Sequence, residues 1–379
     1  MAFDESQEQQ ILRETIRDFA KAEIAPHARE WDERQEFPLE VVRRLGKMGM
    51  LGALVDPEYG GAGLGYPEYV VLIEELARAD GAIALSVAAH NSLCVHHIDR
   101  FGTEAQKSTF LPRLASGEAL GAWALTEPGS GSDAAAARTR AVQDGGEWVL
   151  NGTKNFITHG TYADVFVVMA VTDPEEGARG MSAFIVEKGA PGLISGKKED
   201  KLGCRASDTA SVLMEECRIP KDRLLGERGQ GFIDSLKVLD GGRIGIAAMA
   251  LGLAESALEC SIRYAQERFQ FGQPIAGFQS VQFKLADMAT RIEAARLLIQ
   301  QAARLKEQGK STPKHSSMAK LYASETAVWV AEQAIQIHGG YGYIKEYPPE
   351  RIWRDAKICT IGEGTSEIQR IVISKEILA

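Results

Sequence analysis

The stretch Asp144-Gly145-Gly146-Glu147-Trp148-Val149-Leu150-Asn151-Gly152 decides the architecture of this chain. Asp-Gly-Gly is a turn signal, Trp-Val-Leu is a run of strand formers, and Asn-Gly is a second turn signal. Upstream of residue 121 the pattern is different, because apolar residues recur there at helical spacing. Leu12, Ile16 and Phe19 share one face of a first helix, which Pro26 ends. Pro38 opens a second, with Val42, Leu45 and Met48 on its inner side. After the glycine-rich connection Gly60–Gly65, an apolar helical region runs from Tyr69 to about Arg100, with a break near Asp80-Gly81. Thr103-Glu104-Ala105-Gln106 has the spacing of a capping box and starts a short helix that stops before Gly117.

Downstream, strand-length apolar runs follow at Val165–Met169 and Ser182–Val186, and Ala190-Pro191-Gly192 punctuates them. The helical period returns after Gly229-Gln230-Gly231, with helices expected over 232–268, 279–308, 314–337, 346–358 and 366–378. Ser366 and Gln369 have the spacing of a second capping box. The fold class is therefore α+β and multidomain. An N-terminal α-helical domain is expected over 1–120, a central antiparallel β-barrel or sandwich over 121–229, and a C-terminal helical bundle over 230–379.

Composition narrows the function. The chain has 379 residues, 45% of them hydrophobic and 25% charged, as in ordinary soluble domains. A formal charge of −9 argues against a nucleic-acid partner, which needs a basic surface. The apolar run Ile244–Ala254 is too short to span a bilayer, so no membrane insertion is expected. The acidic start, Met1 to Ser6, lacks the order of a signal peptide, and a cytoplasmic location is expected. Five scattered cysteines without a C-x-x-C pair indicate reduced thiols, and the seven histidines lack ligating spacing, so no metal site is expected.

Six segments are candidate sites. Thr126-Glu127-Pro128-Gly129-Ser130-Gly131-Ser132-Asp133 can present N–H groups and hydroxyls to a phosphate. Gly129, Gly131 and Ala134 also match a dinucleotide fingerprint, but strands follow them where that motif needs a helix, so a Rossmann reading is rejected. Phe156 and Thr158, two apart on a strand, face the same side, where a planar ring can stack on one and accept a hydrogen bond from the other. Asp240-Gly241-Gly242-Arg243 places two glycines inside a helix at about 1 kcal/mol each relative to Ala, so something approaches that backbone closely. Arg268–Gly272 and Gln336–Gly342 are glycine-marked corners. Finally, Glu363 stands between Gly362 and Gly364 just before a helix, open to close approach by a ligand.

Together these segments resemble the acyl-CoA dehydrogenase family, flavoproteins that introduce a double bond next to a CoA thioester. The likeness covers essentially the whole chain: T-E-P-G-S-G-S-D at 126–133, R-x-x-F-G at 268–272, G-G-x-G-Y at 339–343 and E-G-T-S-E-I-Q-R at 363–370 occur in order. It is strongest to short-chain and short-branched-chain members. The resemblance implies an FAD enzyme in which Glu363 removes the α proton of an acyl-CoA while the β hydride moves to flavin N5, and electrons pass to electron-transfer flavoprotein. By position, Trp123, Leu125, Thr126, Gly131 and Ser132 would wrap the FAD, with Phe156, Ile157 and Thr158 along the flavin. Arg268, Gln279, Gln336, Ile337, His338, Gly339 and Gly340 would reach the FAD of a neighbouring subunit, and Thr365 and Glu367 would contact the cofactor beyond the catalytic loop. Ser132, Asp240, Gly241, Gly242 and Arg243 would hold the CoA moiety, and Gly364 would border the thioester. The family also implies a homotetramer, and roles in fatty-acid β-oxidation or branched-chain amino-acid degradation.

Some relatives carry the base on the D-x-x-R helix with a small residue at the C-terminal position; here Gly242 and Glu363 fit the opposite arrangement. Two departures stand out. Gly362 replaces a frequent Tyr, which leaves chain length and branching open, and Phe156 replaces a more common Trp. Competing readings are an oxygen-using oxidase-like relative and a non-catalytic acyl-CoA or flavin-binding protein. Retention of Glu363 argues against the latter.

Overall fold

Helices α1 (Gln7–Glu23), α2 (Ala28–Arg34), α3 (Leu39–Lys47), α4 (Tyr66–Ala79), α5 (Gly81–Ala89), α6 (His96–Phe101) and α7 (Glu104–Ala115) come first. The structure is a computed structural model that describes residues 5–378, so the start of the acidic segment, Met1–Asp4, lies outside the described residues. A π-helical turn over His90–Val95 joins α5 to α6. The expected break at Asp80 is a cap: its side chain accepts the Ile83 N–H and so starts α5. Thr103 and Gln106 form the expected capping box. The short helix α2 was not expected from the sequence, because seven residues carry too little periodicity to register.

The middle of the chain contributes β1 (Gly121–Ala124), β2 (Arg140–Asp144), β3 (Glu147–Thr158), β4 (Val165–Val171), β5 (Met181–Glu187), β6 (Leu193–Lys198), β7 (Thr209–Pro220) and β8 (Leu224–Leu225). They form one sheet in the order β6-β7-β3-β2-β4-β5-β8, with β1 on β4. The Asp144-Gly-Gly turn closes the β2–β3 hairpin in register Asp144↔Glu147. Most pairings are antiparallel, as expected, but β1–β4 and the single β2–β4 bridge are parallel. The loop and hairpin between β1 and β4 supply a crossover long enough for a parallel pairing. The sheet is covered on both sides. On β4, Val165, Val167 and Met169 pack with Phe110 and Leu114 of α7, while Phe166 and Val168 pack with Trp148, Leu150 and Phe184. This two-residue alternation between two cores explains a strand that reads as uninterrupted apolar sequence.

The remaining helices are α8 (Gly231–Glu267), α9 (Gln279–Glu307), α10 (Pro313–His338), α11 (Pro348–Ile358) and α12 (Ser366–Leu378). By length and composition α8 is apolar enough to cross a membrane, but 72% of its most apolar window is buried. It packs against α4, α9 and α10 as the central helix of the fold. One continuous core joins Ile16, Leu72, Ile73 and Leu76 of the first helices to Met249, Leu253, Ile299, Ala323 and Val330 of the last. Buried Glu74 fastens the same junction, pairing with Arg13 at 3.0 Å and Arg296 at 2.9 Å. The two helical regions are one packed body, with the sheet inserted between them in sequence.

The expected capping box at the start of α12 is corrected. Thr365 Oγ1, one residue earlier, accepts the Ile368 N–H at 3.3 Å. The Ser366 hydroxyl is buried without a partner. Gln369 turns back to the loop instead, where its Nε2 donates to the Gly364 carbonyl at 2.9 Å and the Glu363 carbonyl at 3.3 Å.

Candidate active site

Two elements meet at Glu363. The first is α8, where Gly241 and Gly242 open its longest buried stretch. A Cβ at Gly242 would lie 2.0 Å from Glu363 Oε2, and one at Gly241 would lie 2.4 Å from the Tyr66 hydroxyl. Both glycines are therefore explained by close approach, and what approaches Gly242 is the carboxylate. The second element is the loop between α11 and α12. Glu363 has φ +54°, an uncommon left-handed conformation for a residue with a side chain, and Gly364 follows at φ +95°. Lys320 Nζ of α10 donates to the Gly364 carbonyl at 2.6 Å, which, with Gln369, holds this turn from behind.

The electrostatics suit a base. Glu363 is half-buried as a residue, yet its Oε2 is sealed and without a hydrogen-bond partner. Burial pushes its carboxyl up to about 7, against the opposing pull of Lys320 and Arg243. Arg243 is buried and pairs with Asp240 at 2.5 Å along α8. A carboxyl poised near neutrality, beside a helix cleared of side chains, can take a proton from a group brought against it.

The segment over 121–158 forms a second surface. Lys154, fully buried, donates to Glu127 Oε1 at 2.7 Å and to the Leu125 carbonyl at 3.0 Å. The Glu127 carboxylate also accepts the Arg138 and Thr139 N–H groups. Burial pushes Lys154 down to about 8, whereas for Glu127 burial is outweighed by Lys154 and the N–H donors, so both partners stay charged. This pair pins the loop from below. Above it, Gly129 and Gly131 are open, with nothing within 4 Å of an added Cβ, and Ser132 is exposed.

Phe156 does not follow plain strand alternation, as the sequence reading assumed. β3 shifts register between Lys154 and Ile157, and Phe156 takes φ +59° within that bulge. Its ring is 64% exposed, Ile157 beneath is buried, and Thr158 is half-buried. The Asn155 N–H to the Thr126 carbonyl, at 2.8 Å, ties this bulge to the glycine loop. Trp123 is half-buried nearby in sequence on β1, its Nε1 donating to His97 Nδ1 at 3.0 Å. An exposed aromatic held in a bulge beside an open glycine loop fits a planar, phosphate-bearing cofactor laid across it.

Other expected residues fall elsewhere. Arg268 and Ile337 to Gly340 line a separate cavity of about 420 Å³ with Tyr264 and Tyr341. There the Arg268 guanidinium lies 5.5 Å from the Tyr341 ring centroid, and His338 stacks on Tyr264 at 4.2 Å. Gln279 and Gln336 are exposed near its edges in sequence but do not line it. Thr365 and Glu367 line a third cavity, of about 350 Å³, with Trp329 and Lys357. Within one chain, then, Asp240 to Arg243 meet Glu363, while the other expected cofactor residues face different openings. Sequence reading missed Lys154 and Lys320. A signal for the second was present: a lone cation on the helix face shared by Ser316, Ala323 and Ala327. Among the described residues no cluster of three or more metal-ligating side chains occurs.

Comparisons with known proteins cover all three regions. Family models described as acyl-CoA dehydrogenase N-terminal, middle and C-terminal domains match residues 6–118, 122–217 and 229–378. The short-chain specific acyl-CoA dehydrogenase, mitochondrial, of Rattus norvegicus is 49% identical, covering 97% of this chain and 90% of its own. The structure of butyryl-CoA dehydrogenase from Megasphaera elsdenii is 43% identical, with a TM-score of 0.98 and full coverage of both chains. A chain in the structure described as electron transferring flavoprotein of Acidaminococcus fermentans is 46% identical, with a TM-score of 0.99 and full coverage of both.

Proposed function

Because this chain belongs to the acyl-CoA dehydrogenase family, and is an FAD-dependent oxidoreductase acting on short-chain acyl-CoA, we propose that Glu363 is its catalytic base. The observation that carries this reading is the sealed, unpaired Glu363 Oε2 above Gly242. Bound FAD supplies the hydride acceptor, which no side chain can provide. The residues present fit it: Trp123, Leu125, Thr126, Gly131 and Ser132 would hold it at the loop, and Phe156, Ile157 and Thr158 at the bulge.

The chain's own residues then have separable tasks. Glu363 takes the α proton, and its near-neutral carboxyl is matched to a weakly acidic carbon. Among the described residues nothing accepts the Glu363 N–H, which leaves it to donate to the thioester oxygen as negative charge develops there. Asp240 and Arg243, with Ser132 and Gly364, would hold the CoA portion. A pH profile tests the protonation state required. Since only ionised Glu363 accepts a proton, kcat/KM for flavin reduction is expected to rise with pH through a midpoint of about 7. A flat profile in anaerobic stopped-flow measurements would remove Glu363 from that role.

For substrate, we propose straight short acyl groups such as butyryl and short branched ones such as isobutyryl or 2-methylbutyryl. Gly362 supports the second group, since it carries no side chain next to the base, and even a Cβ there would fit in ordinary contact with Ile358, 3.6 Å away. Anaerobic titration of the yellow protein with a panel of acyl-CoAs tests this; bleaching only by long-chain thioesters would overturn it. Likeness to the chain in the Acidaminococcus structure supports electron-transfer flavoprotein as acceptor. Rapid oxygen consumption in turnover would favour an oxidase instead.

We further propose a homotetramer in which the Arg268 cavity receives the FAD of a neighbouring subunit. Arg268→Ala is then expected to lower bound flavin severalfold in purified protein, read from visible absorbance per chain. Full occupancy would remove Arg268 from the cofactor site.

A further inference from the structure

Lys320 is fully buried in α10, among small and apolar neighbours, and its Nζ donates to the Gly364 carbonyl at 2.6 Å. Among the described residues no carboxylate lies within 4.0 Å of this ammonium. Burying a cation without a paired anion is costly, so a purely structural lysine here is a poor solution. The hydrogen bond alone does not need a charge either, because Gln369, which is neutral, already donates to the same carbonyl. What the ammonium adds is a positive field at the loop that carries the base. The groups facing Lys320 are Glu363 and Glu367, together with Arg243 from α8 and Cys359 at the end of α11. Those opposing burial at Glu363 are Lys320 first and Arg243 second. Arg243 already has Asp240 as its partner, whereas Lys320 has none of that kind.

We propose that Lys320 is the positioning residue of the base: through the Gly364 carbonyl it holds Glu363 over Gly242, and its charge favours the ionised carboxylate. The proposal rests on Glu363 as base and assigns a second buried residue, on another helix, to the control of its protonation. Burial pushes Lys320 itself down to about 8, still above Glu363 at about 7, so the ammonium is the predominant form at the midpoint of Glu363 ionisation. The turn it grips contains two successive left-handed residues, a conformation that persists only when its surroundings enforce it.

The test uses FAD-loaded full-length protein and butyryl-CoA, with anaerobic flavin reduction followed against pH. Lys320→Gln keeps a donor for Gly364 but loses the charge. Its midpoint is expected to move up from that of wild type by about one pH unit, within the range set by a nearby opposite charge. Turnover at neutral pH falls accordingly, by about fivefold, with KM little changed. Lys320→Arg is expected to return the midpoint toward that of wild type, and Lys320→Met to behave like Lys320→Gln with a further drop in kcat. An unchanged midpoint in Lys320→Gln, or an equal shift in Lys320→Arg, overturns the proposal. Loss of folding in both neutral variants also overturns it, because a lysine serving the base alone is dispensable for folding. Glu363→Gln, assayed in parallel, tests the underlying reading separately: if that variant still reduces flavin, the choice of base fails, whatever Lys320 does.

Discussion

Glu363→Gln is expected to give a folded, yellow protein whose flavin no longer bleaches when butyryl-CoA is added. Glutamine has nearly the same shape, and Oε2 has no hydrogen-bond partner to lose, so the loop and its grip by Lys320 and Gln369 persist. What disappears is the proton acceptor. Positioned base catalysis is typically worth about 10²- to 10⁴-fold, so flavin reduction should slow by about 10³-fold in single turnover. Reduction at the wild-type rate would show that another group takes the proton. A second readout follows from the raised carboxyl of Glu363, which moves from 4.5 to about 7 on folding. The folded protein holds this proton more tightly than the unfolded chain, so wild type loses stability as pH rises between those values. Glutamine cannot ionise. The variant's melting temperature should therefore exceed that of wild type above neutrality, with the difference vanishing in acid.

The second large effect is expected at Gly242. Alanine at this position should improve the helix by about 1 kcal/mol on propensity. Its methyl carbon, however, would fall 2.0 Å from Glu363 Oε2. The obstructing atom is the end of a flexible side chain, so the carboxylate swings away and the fold survives. The base is then misplaced by an ångström or more, a displacement worth about 10² in rate. Gly242→Ala should thus melt no lower than wild type while losing most of its flavin reduction. Wild-type kcat in that variant would mean the resting position of Glu363 is irrelevant to turnover. The exchange Gly242→Glu with Glu363→Gly offers the converse measurement. It moves a carboxylate onto α8 facing the space vacated in the loop, and should recover activity well above Glu363→Gln alone.

Much of this was legible in the sequence because the deciding features are local. The Asp144-Gly-Gly turn and the Thr103–Gln106 cap each express a short-range constraint, the glycine pair in α8 interrupts a helical pattern at a glance, and each stands where the spacing put it. The Asp240-Gly-Gly-Arg243 reading even required an unseen partner near the backbone, which is Glu363, more than a hundred residues away. Features set by tertiary packing were not legible. The cap of α12 moved to Thr365 because Gln369 is recruited to the Glu363–Gly364 turn. Phe156 left the strand pattern through a bulge, which inserts residues without changing composition. Lys320 was overlooked because a lysine in a helix reads by default as solvated, and only the burial of its whole face reveals otherwise.

The shared core of the first and last helices has a bearing on how the chain reaches this state. Ile16 and Leu72 share one buried core with residues such as Leu253 and Val330, which a ribosome delivers long afterwards. The strands from β1 to β8, by contrast, close their sheet within one uninterrupted segment. During synthesis the sheet can form while α1 to α5 still expose an unpaired apolar face, because contacts distant in sequence are the slowest to be made. A nascent chain with a finished centre and an unfinished start exposes apolar surface of the kind that favours aggregation.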